Sequence, residues 1–273
     1  MPELPEVETI CTALRLGGVD NPSVLGRMIS GAQVLWKRSL VMPVEEEFLQ
    51  RITDQVINDI QRRGKFIIFR LTSESLLVHL RMSGDLRVEA QDLPLAAHHR
   101  LTLDLEGGLR LAFNDARKFG RVWLVADPQE VLGALGPEPL DPKFTADDLY
   151  RGLINHRRQL KPLLLDQTFL AGLGNIYTDE ALYLARLHPL KTSHSLSFEE
   201  ADHLWSAVRK VLEEGIRRNG ASIDWVYRGG DFQNYFRVYR RTGEPCLTCG
   251  EPIQRILVGQ RGTHFCPICQ KLM

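Results

Sequence analysis

The chain has 273 residues, 44% of them hydrophobic, which is enough for two domains with cores of their own. No run approaches the roughly eighteen consecutive apolar residues of a membrane-spanning helix, and the acidic, proline-broken N-terminus lacks the pattern of a secretory signal, so a cytoplasmic protein without a membrane partner is expected. Lys and Arg number 34 against 34 Asp and Glu, so net charge alone does not mark a nucleic-acid binder.

In chain order, the spacing of Val7, Ile10, Cys11 and Leu14 predicts a short helix starting at Pro5 and ending at Gly17-Gly18. Pro2 and Glu3 then sit just ahead of a helix that can hold them. Residues 28 to 126 read as strands. KFIIFRLT and SLLVHLR are joined by a tight turn, HRLTLDLE and GLRLAFN alternate around Gly107-Gly108, and GRVWLVAD follows. Many short strands joined by turns predict an antiparallel sandwich or barrel. The proline-rich GPEPLDPKF at 136 to 144 reads as a linker. Helices are then expected from Thr145, from Asn175 and from Ser197, the last with Glu200 three residues on as a capping box. A polar loop near 219 to 234 leads into a small cysteine module.

Charge is unevenly placed. Basic clusters occur at Arg62, Arg63, Lys65 and Arg70, at Arg117, Lys118 and Arg121, at Arg157, Arg158 and Lys161, and from Arg228 through Arg261. Acidic residues gather at Glu45 to Glu47, at Asp147 and Asp148, and from Glu199 to Asp202. The pattern fits one positive and one negative face, and equally a scattered solvated surface.

Four of the five cysteines lie in the last 28 residues, as metal-site clustering rather than a disulfide framework. Cys246-x2-Cys249 and Cys266-x2-Cys269 are 16 residues apart, the pattern of two thiolate knuckles completing one tetrahedral zinc site. Four cysteine ligands leave no open position for water, so one structural zinc is expected, holding a β-hairpin with Arg261 at its tip. Cys11 stands alone and is expected to be packed.

The N-terminal MPELPE is the most unusual segment. Initiator methionine is removed when the second residue is small, and Pro2 would then expose a secondary amine. With a pKa near 8, on the order of a tenth of such an amine is neutral and nucleophilic at pH 7. It can attack a sugar C1′, expel the base and form an iminium ion, and a neighbouring carboxylate such as Glu3 can shuttle the proton that ring opening requires. Taken by themselves, two such residues read better as a frayed, functionless terminus.

MPELPEVET, QRRGKF, HLRMSGDL, NDARKFGR, LGPEPL, GLGNIYTDEAL and the terminal cysteine module occur in one order along essentially the whole chain. Together they resemble the bacterial formamidopyrimidine-DNA glycosylase family. The resemblance implies an α+β multidomain protein: an N-terminal antiparallel β-sandwich with flanking helices over 1–135, a helix–two-turns–helix DNA-binding domain with a lesion-recognition loop over 136–234, and a β-hairpin zinc finger over 235–273. It implies excision of 8-oxoguanine and formamidopyrimidines from duplex DNA, followed by β,δ-elimination, by a monomer needing no nucleotide cofactor. Pro2 is then the nucleophile, Glu3 the general acid and Glu6 a supporting carboxylate. Lys65 contacts phosphate and assists elimination, and Arg261 acts from the finger. Phe119 is the wedge, Arg117 the partner of the orphaned cytosine, and Met82 the filler of the vacated space, as extrusion of a base requires. His79, Lys161, Asn175, Tyr177 and Arg261 are expected at phosphates, with the GLGNIY glycines bringing backbone close to the anion.

Two alternatives share many of these features. An endonuclease VIII-type enzyme acting on oxidised pyrimidines would also use Pro2, Glu3 and the finger. The leucine and proline of MPELPE, with Arg117 and Phe119, favour purines. A non-catalytic, zinc-stabilised DNA-binding protein would need the finger but not Pro2 and Glu3.

Overall fold

The computed structural model describes residues 1–18, 22–222 and 229–272. The chain forms two compact units. The first holds Met1–Pro2 and Glu6–Gly133, and the second holds Glu3–Pro5, Ala134–Ala221 and the chain from Gly229 onward. Among the described residues no helix is long and apolar enough to cross a membrane.

The first unit contains most of α1 (Leu4–Leu16), then β1 (Ile29–Val34), β2 (Leu40–Met42), α2 (Glu45–Ile52), β3 (Asp59–Arg63), β4 (Phe66–Arg70), β5 (Ser75–His79), β6 (Gly84–Ala90), β7 (His99–Leu105), β8 (Leu109–Asp115), β9 (Arg121–Val125) and the one-turn α3 (Gln129–Leu132). Two sheets form, with strand orders β1-β7-β8-β6 and β2-β9-β5-β4-β3. Alternation along the strands puts Leu101, Leu103 and Leu105 of β7, and Leu111 and Phe113 of β8, into the same apolar core as Ile67 and Phe69 of β4 and Leu76 and Val78 of β5. This is the sandwich implied by the resemblance. The helical stripe of α1, Val7, Ile10, Cys11 and Leu14, joins that core. Cys11 is fully buried, and burial pushes its thiol up to about 12, so it behaves as a packed apolar group.

Two details differ from the strand-only reading of residues 28 to 126. Residues 45–52 are helical, because Phe48 and Ile52, one turn apart, both bury into the core while Glu45 to Glu47 occupy the first turn. The three-residue edge strand β2 pairs parallel to β9, and every other strand pairing among the described residues is antiparallel.

The second unit is helical, with a small hairpin. It contains α4 (Ala146–Ile154), α5 (Leu160–Leu164), α6 (Asn175–Leu184), α7 (Phe198–Arg217), β10 (Gln254–Val258) and β11 (Arg261–Phe265). Thr145–Asp148 and Ser197–Glu200 both close reciprocal capping boxes at the starts of α4 and α7. The helix α7 packs on α4 and α6. Short α5 was not expected, and its Leu160, Leu163 and Leu164 are buried with Lys161. The turn between β10 and β11 has left-handed backbone at both Gly259 and Gln260, the geometry that closes a two-residue hairpin and starts β11 at Arg261.

Candidate functional site

The start of α6 is where the N-terminus is held. Its cap position is Gly174, which offers no side chain to the free N–H groups of the first turn. The buried carboxylate of Glu3 takes that role. Its Oε1 accepts the Ile176 N–H at 3.0 Å and its Oε2 the Tyr177 N–H at 3.4 Å. A Cβ at residue 174 would lie 2.2 Å from the Glu3 Cδ, so glycine is required there. Gly172, with φ +95°, makes similar room for Leu4, whose N–H donates to the Gly172 carbonyl at 3.1 Å. The GLGN glycines therefore admit the protein's own N-terminal residues, where a phosphate had been expected. Pro2, next along the chain, is buried and belongs with the first unit, as does the buried Glu6.

The rest of α6 is buried on almost every side, its charged residues included. Asp179 accepts from the Lys161 ammonium at 2.6 Å, and also from the His264 backbone N–H at 2.9 Å. Lys161 further donates to the Gly262 carbonyl at 3.0 Å, and the Asn175 side-chain amide donates to the same oxygen at 3.0 Å. These bonds tie β11 to α5 and α6 directly beside the exposed Arg261. Burial lowers the pKa of Lys161, opposed by the Asp179 charge. Glu180 accepts the backbone N–H groups of Arg237, Val238 and Tyr239 at about 3 Å, fixing the entry to the cysteine module, while burial raises its pKa. Tyr177 is fully buried and stacks on Phe232, with ring centroids 5.1 Å apart and planes 9° from parallel. The solvent-facing phosphate contacts expected of Lys161 and Tyr177 are thus replaced by internal partners, because both side chains have no exposed surface.

In the cysteine module the four Sγ atoms lie within 4.8 Å of one another. The Cys246–Cys269 and Cys249–Cys266 separations are 3.9 and 3.5 Å. Tetrahedral zinc with Zn–S bonds of about 2.3 Å requires sulfur atoms about 3.8 Å apart, so the four thiols fit a zinc ion with only small shifts. Cys246, Cys249, Cys266 and Cys269 are the ligands of a structural zinc. Backbone N–H groups of Thr248 and Cys269 point at Cys246 and Cys266 Sγ, each at 3.4 Å, and the Tyr183 hydroxyl lies 3.2 Å from Cys246 Sγ.

The first unit carries the other expected residues at loops of the sandwich. Lys65 lies in the tight turn between β3 and β4, beside left-handed Gly64, and is largely buried. His79 ends β5, packs edge-on to the Phe66 ring at 4.7 Å, and accepts the Arg81 N–H on Nδ1 at 3.0 Å. Burial, followed by the Arg81 and Lys65 charges, pushes its pKa down to about 3. His79 is therefore a neutral ring with its proton on Nε2, not the cation that a phosphate contact would favour. Met82 (39% exposed) and Phe119 (45% exposed) both project into solvent, as does Arg117, whose guanidinium lies over the Phe119 ring at 5.0 Å.

Reasoning from sequence missed Asp179, Glu180 and Tyr183. The available signal was two adjacent carboxylates within a largely apolar helix, where they need buried partners. The central part of the expected lesion-recognition loop, residues 223–228, lies outside the described residues.

Three family models match the chain in order. They are the formamidopyrimidine-DNA glycosylase N-terminal domain at residues 1–122, the H2TH domain of the same glycosylase at 135–226, and a zinc finger found in FPG and IleRS at 243–272. A formamidopyrimidine-DNA glycosylase from Chloroflexus aurantiacus is 45% identical over 283 residues, covering 100% of this chain and 99% of that protein. One from Protochlamydia amoebophila is 41% identical, covering 99% and 100%. Among solved structures, the Lactococcus lactis enzyme in complex with a FAPY-dG containing DNA superimposes with a TM-score of 0.90 at 36% identity, covering 99% of this chain and 100% of that one.

Proposed function

The chain belongs to the formamidopyrimidine-DNA glycosylase family, and from that premise we propose that it is a bifunctional base-excision repair enzyme, removing oxidised purines from duplex DNA and cutting the strand at the resulting site. The observation that carries the reading is the built position of Glu3: a buried carboxylate fixed by two helix N–H groups, one residue from Pro2.

Once Met1 is removed, the Pro2 nitrogen attacks C1′ of the damaged nucleotide. The bond from C1′ to the base breaks and the base leaves with that electron pair. Glu3 takes up the proton that the Pro2 nitrogen loses and delivers it to O4′ as the sugar ring opens, giving an iminium between Pro2 and C1′. Loss of a C2′ proton expels the 3′ phosphate, and a second elimination expels the 5′ phosphate. Lys65 assists these steps, with Arg261 acting from the finger. Met82, Arg117 and Phe119 fill the gap left by the extruded base and contact its orphaned partner. Asn175, Glu6 and the neutral Nε2–H of His79 support the site and the backbone around it. Zinc supplies no reaction chemistry, because four thiolates close its coordination sphere; it holds the hairpin. The enzyme acts as a monomer in the cytoplasm, without a nucleotide cofactor.

The test is borohydride trapping on a duplex carrying 8-oxoguanine opposite cytosine, with the crosslink mapped by mass spectrometry. A crosslink at Pro2 is expected. With Met1 confirmed absent, failure to trap this substrate together with trapping on an oxidised pyrimidine would give the endonuclease VIII-type reading. Failure on both would leave a DNA-binding protein without catalysis.

A further inference from the structure

We propose that Ser83 and Asp115 are positioning residues that lock the Met82 loop and the Arg117–Phe119 loop into one preformed wedge. The proposal rests on the assignment of those three side chains to gap filling.

The two loops leave the sandwich at one place. Gly84, the first residue of β6, pairs across the ladder with Asp115, the last residue of β8. Met82 and Ser83 therefore precede one strand where residues 116–120 follow its neighbour. A single buried hydroxyl joins the loops. Ser83 Oγ donates to Asp115 Oδ1 and accepts the Arg117 N–H at 3.1 Å. The fully buried Asp115 carboxylate also accepts the Arg117 N–H at 3.2 Å and, through Oδ2, the Gly120 N–H at 2.7 Å. It thus gathers donors from both ends of the wedge loop and from the base of the other. Buried Arg100 donates to the Asp115 carbonyl at 2.7 Å, so the main chain at that residue is held as well.

These bonds act on backbone that needs support. Both loops pass through left-handed conformations at non-glycine residues, Arg81 with φ 55° and Lys118 with φ 62°. The Lys118 ammonium lies 4.1 Å from the centroid of the Trp36 ring, a further tie on the outer side. Gly120 closes the loop against Phe113, where a Cβ would come within 2.2 Å of the ring. The exposed tips are thereby carried on a buried polar frame, so the ordering they need is already present before DNA arrives.

A preformed wedge matters when a stacked base must be extruded, and much less when the base is already gone. The experiment compares Ser83→Ala with the unaltered enzyme on two duplexes. One carries 8-oxoguanine opposite cytosine with 2-aminopurine beside it, and the other a preformed abasic site. Loss of a hydrogen bond to a buried carboxylate should slow the 2-aminopurine fluorescence rise and single-turnover base excision by about tenfold. Cleavage at the abasic site should fall by about twofold at most. Asp115→Asn, which sets an amide NH2 among the same donors, should slow the same fluorescence phase. An unaltered phase in Ser83→Ala overturns the proposal, as does a parallel fall on both duplexes, which would mark general damage to the sandwich. Arg117→Ala and Phe119→Ala are run alongside. If they leave the phase unaltered, it is the gap-filling assignment that fails. If they slow it while Ser83→Ala does not, the frame alone is refuted.

Discussion

At the residue scale, Glu3 has two tasks that a substitution can separate. Its carboxylate caps α6 through two N–H groups, and in the proposed mechanism it carries a proton to the opening sugar. Glu3→Gln keeps an acceptor for the cap but cannot deliver the proton, so base excision should be lost while duplex affinity stays close to normal. Full excision activity in single-turnover assays would remove Glu3 from the mechanism. His79 has a different signature. Its folded pKa is pushed far below its usual value, so the unfolded chain binds the proton more readily than the native one. Its contribution to stability is fully present above about pH 6.5 and is lost as pH falls toward about 3. Urea unfolding between pH 7.5 and 5 should therefore show a smaller loss of stability in His79→Asn than in the unaltered protein. The motif around His79 was plain in the sequence, but its charge state depends on Phe66 and on two cations, one of them fourteen residues away in the chain.

At the element scale, the helices differed in how openly they declared themselves. The starts of α4 and α7 were set by local pairs, Thr145 with Asp148 and Ser197 with Glu200, whose hydrogen bonds need only one turn of chain. The helix α6 could not be read that way. Its cap comes from Glu3, and its carboxylates are answered by Lys161, His264 and the backbone of residues 237–239. The Lys161–Asp179 pair is completely buried, so removing one partner strands the other charge. Lys161→Met should cost about 3–5 kcal/mol, measured by urea unfolding. A change within error would mean that water or another cation compensates Asp179.

At the scale of the whole molecule, the balanced total of 34 basic and 34 acidic residues conceals local clusters that would meet a phosphate backbone. Affinity for any duplex should fall steeply with salt, as counterion release demands. The zinc finger adds a second handle. Apart from its cysteines, the module from Cys246 to Cys269 buries few apolar side chains, Ile253, Val258 and Phe265, so the metal supplies much of its folding free energy. Chelation should weaken binding to damaged and undamaged duplexes alike, because it releases the hairpin that carries Arg261, not a group that reads the lesion. Equal affinity before and after zinc removal, followed by fluorescence anisotropy, would separate the finger from DNA binding.

The sequence by itself determined the strand alternation of the sandwich, the α1 stripe, the capping boxes and the four thiolate ligands. Each of these is written in spacings of a few residues, and their periods follow from strand, helix and metal geometry. Only the tertiary structure decided that the glycines before α6 make room for Leu4 and Glu3, that Lys161 and Tyr177 turn inward, and that one hydroxyl at Ser83 joins two loops. Those outcomes depend on which distant polar groups reach one another after burial. A buried donor or charge must find a partner wherever the fold supplies one, and sequence separation does not reveal where that is.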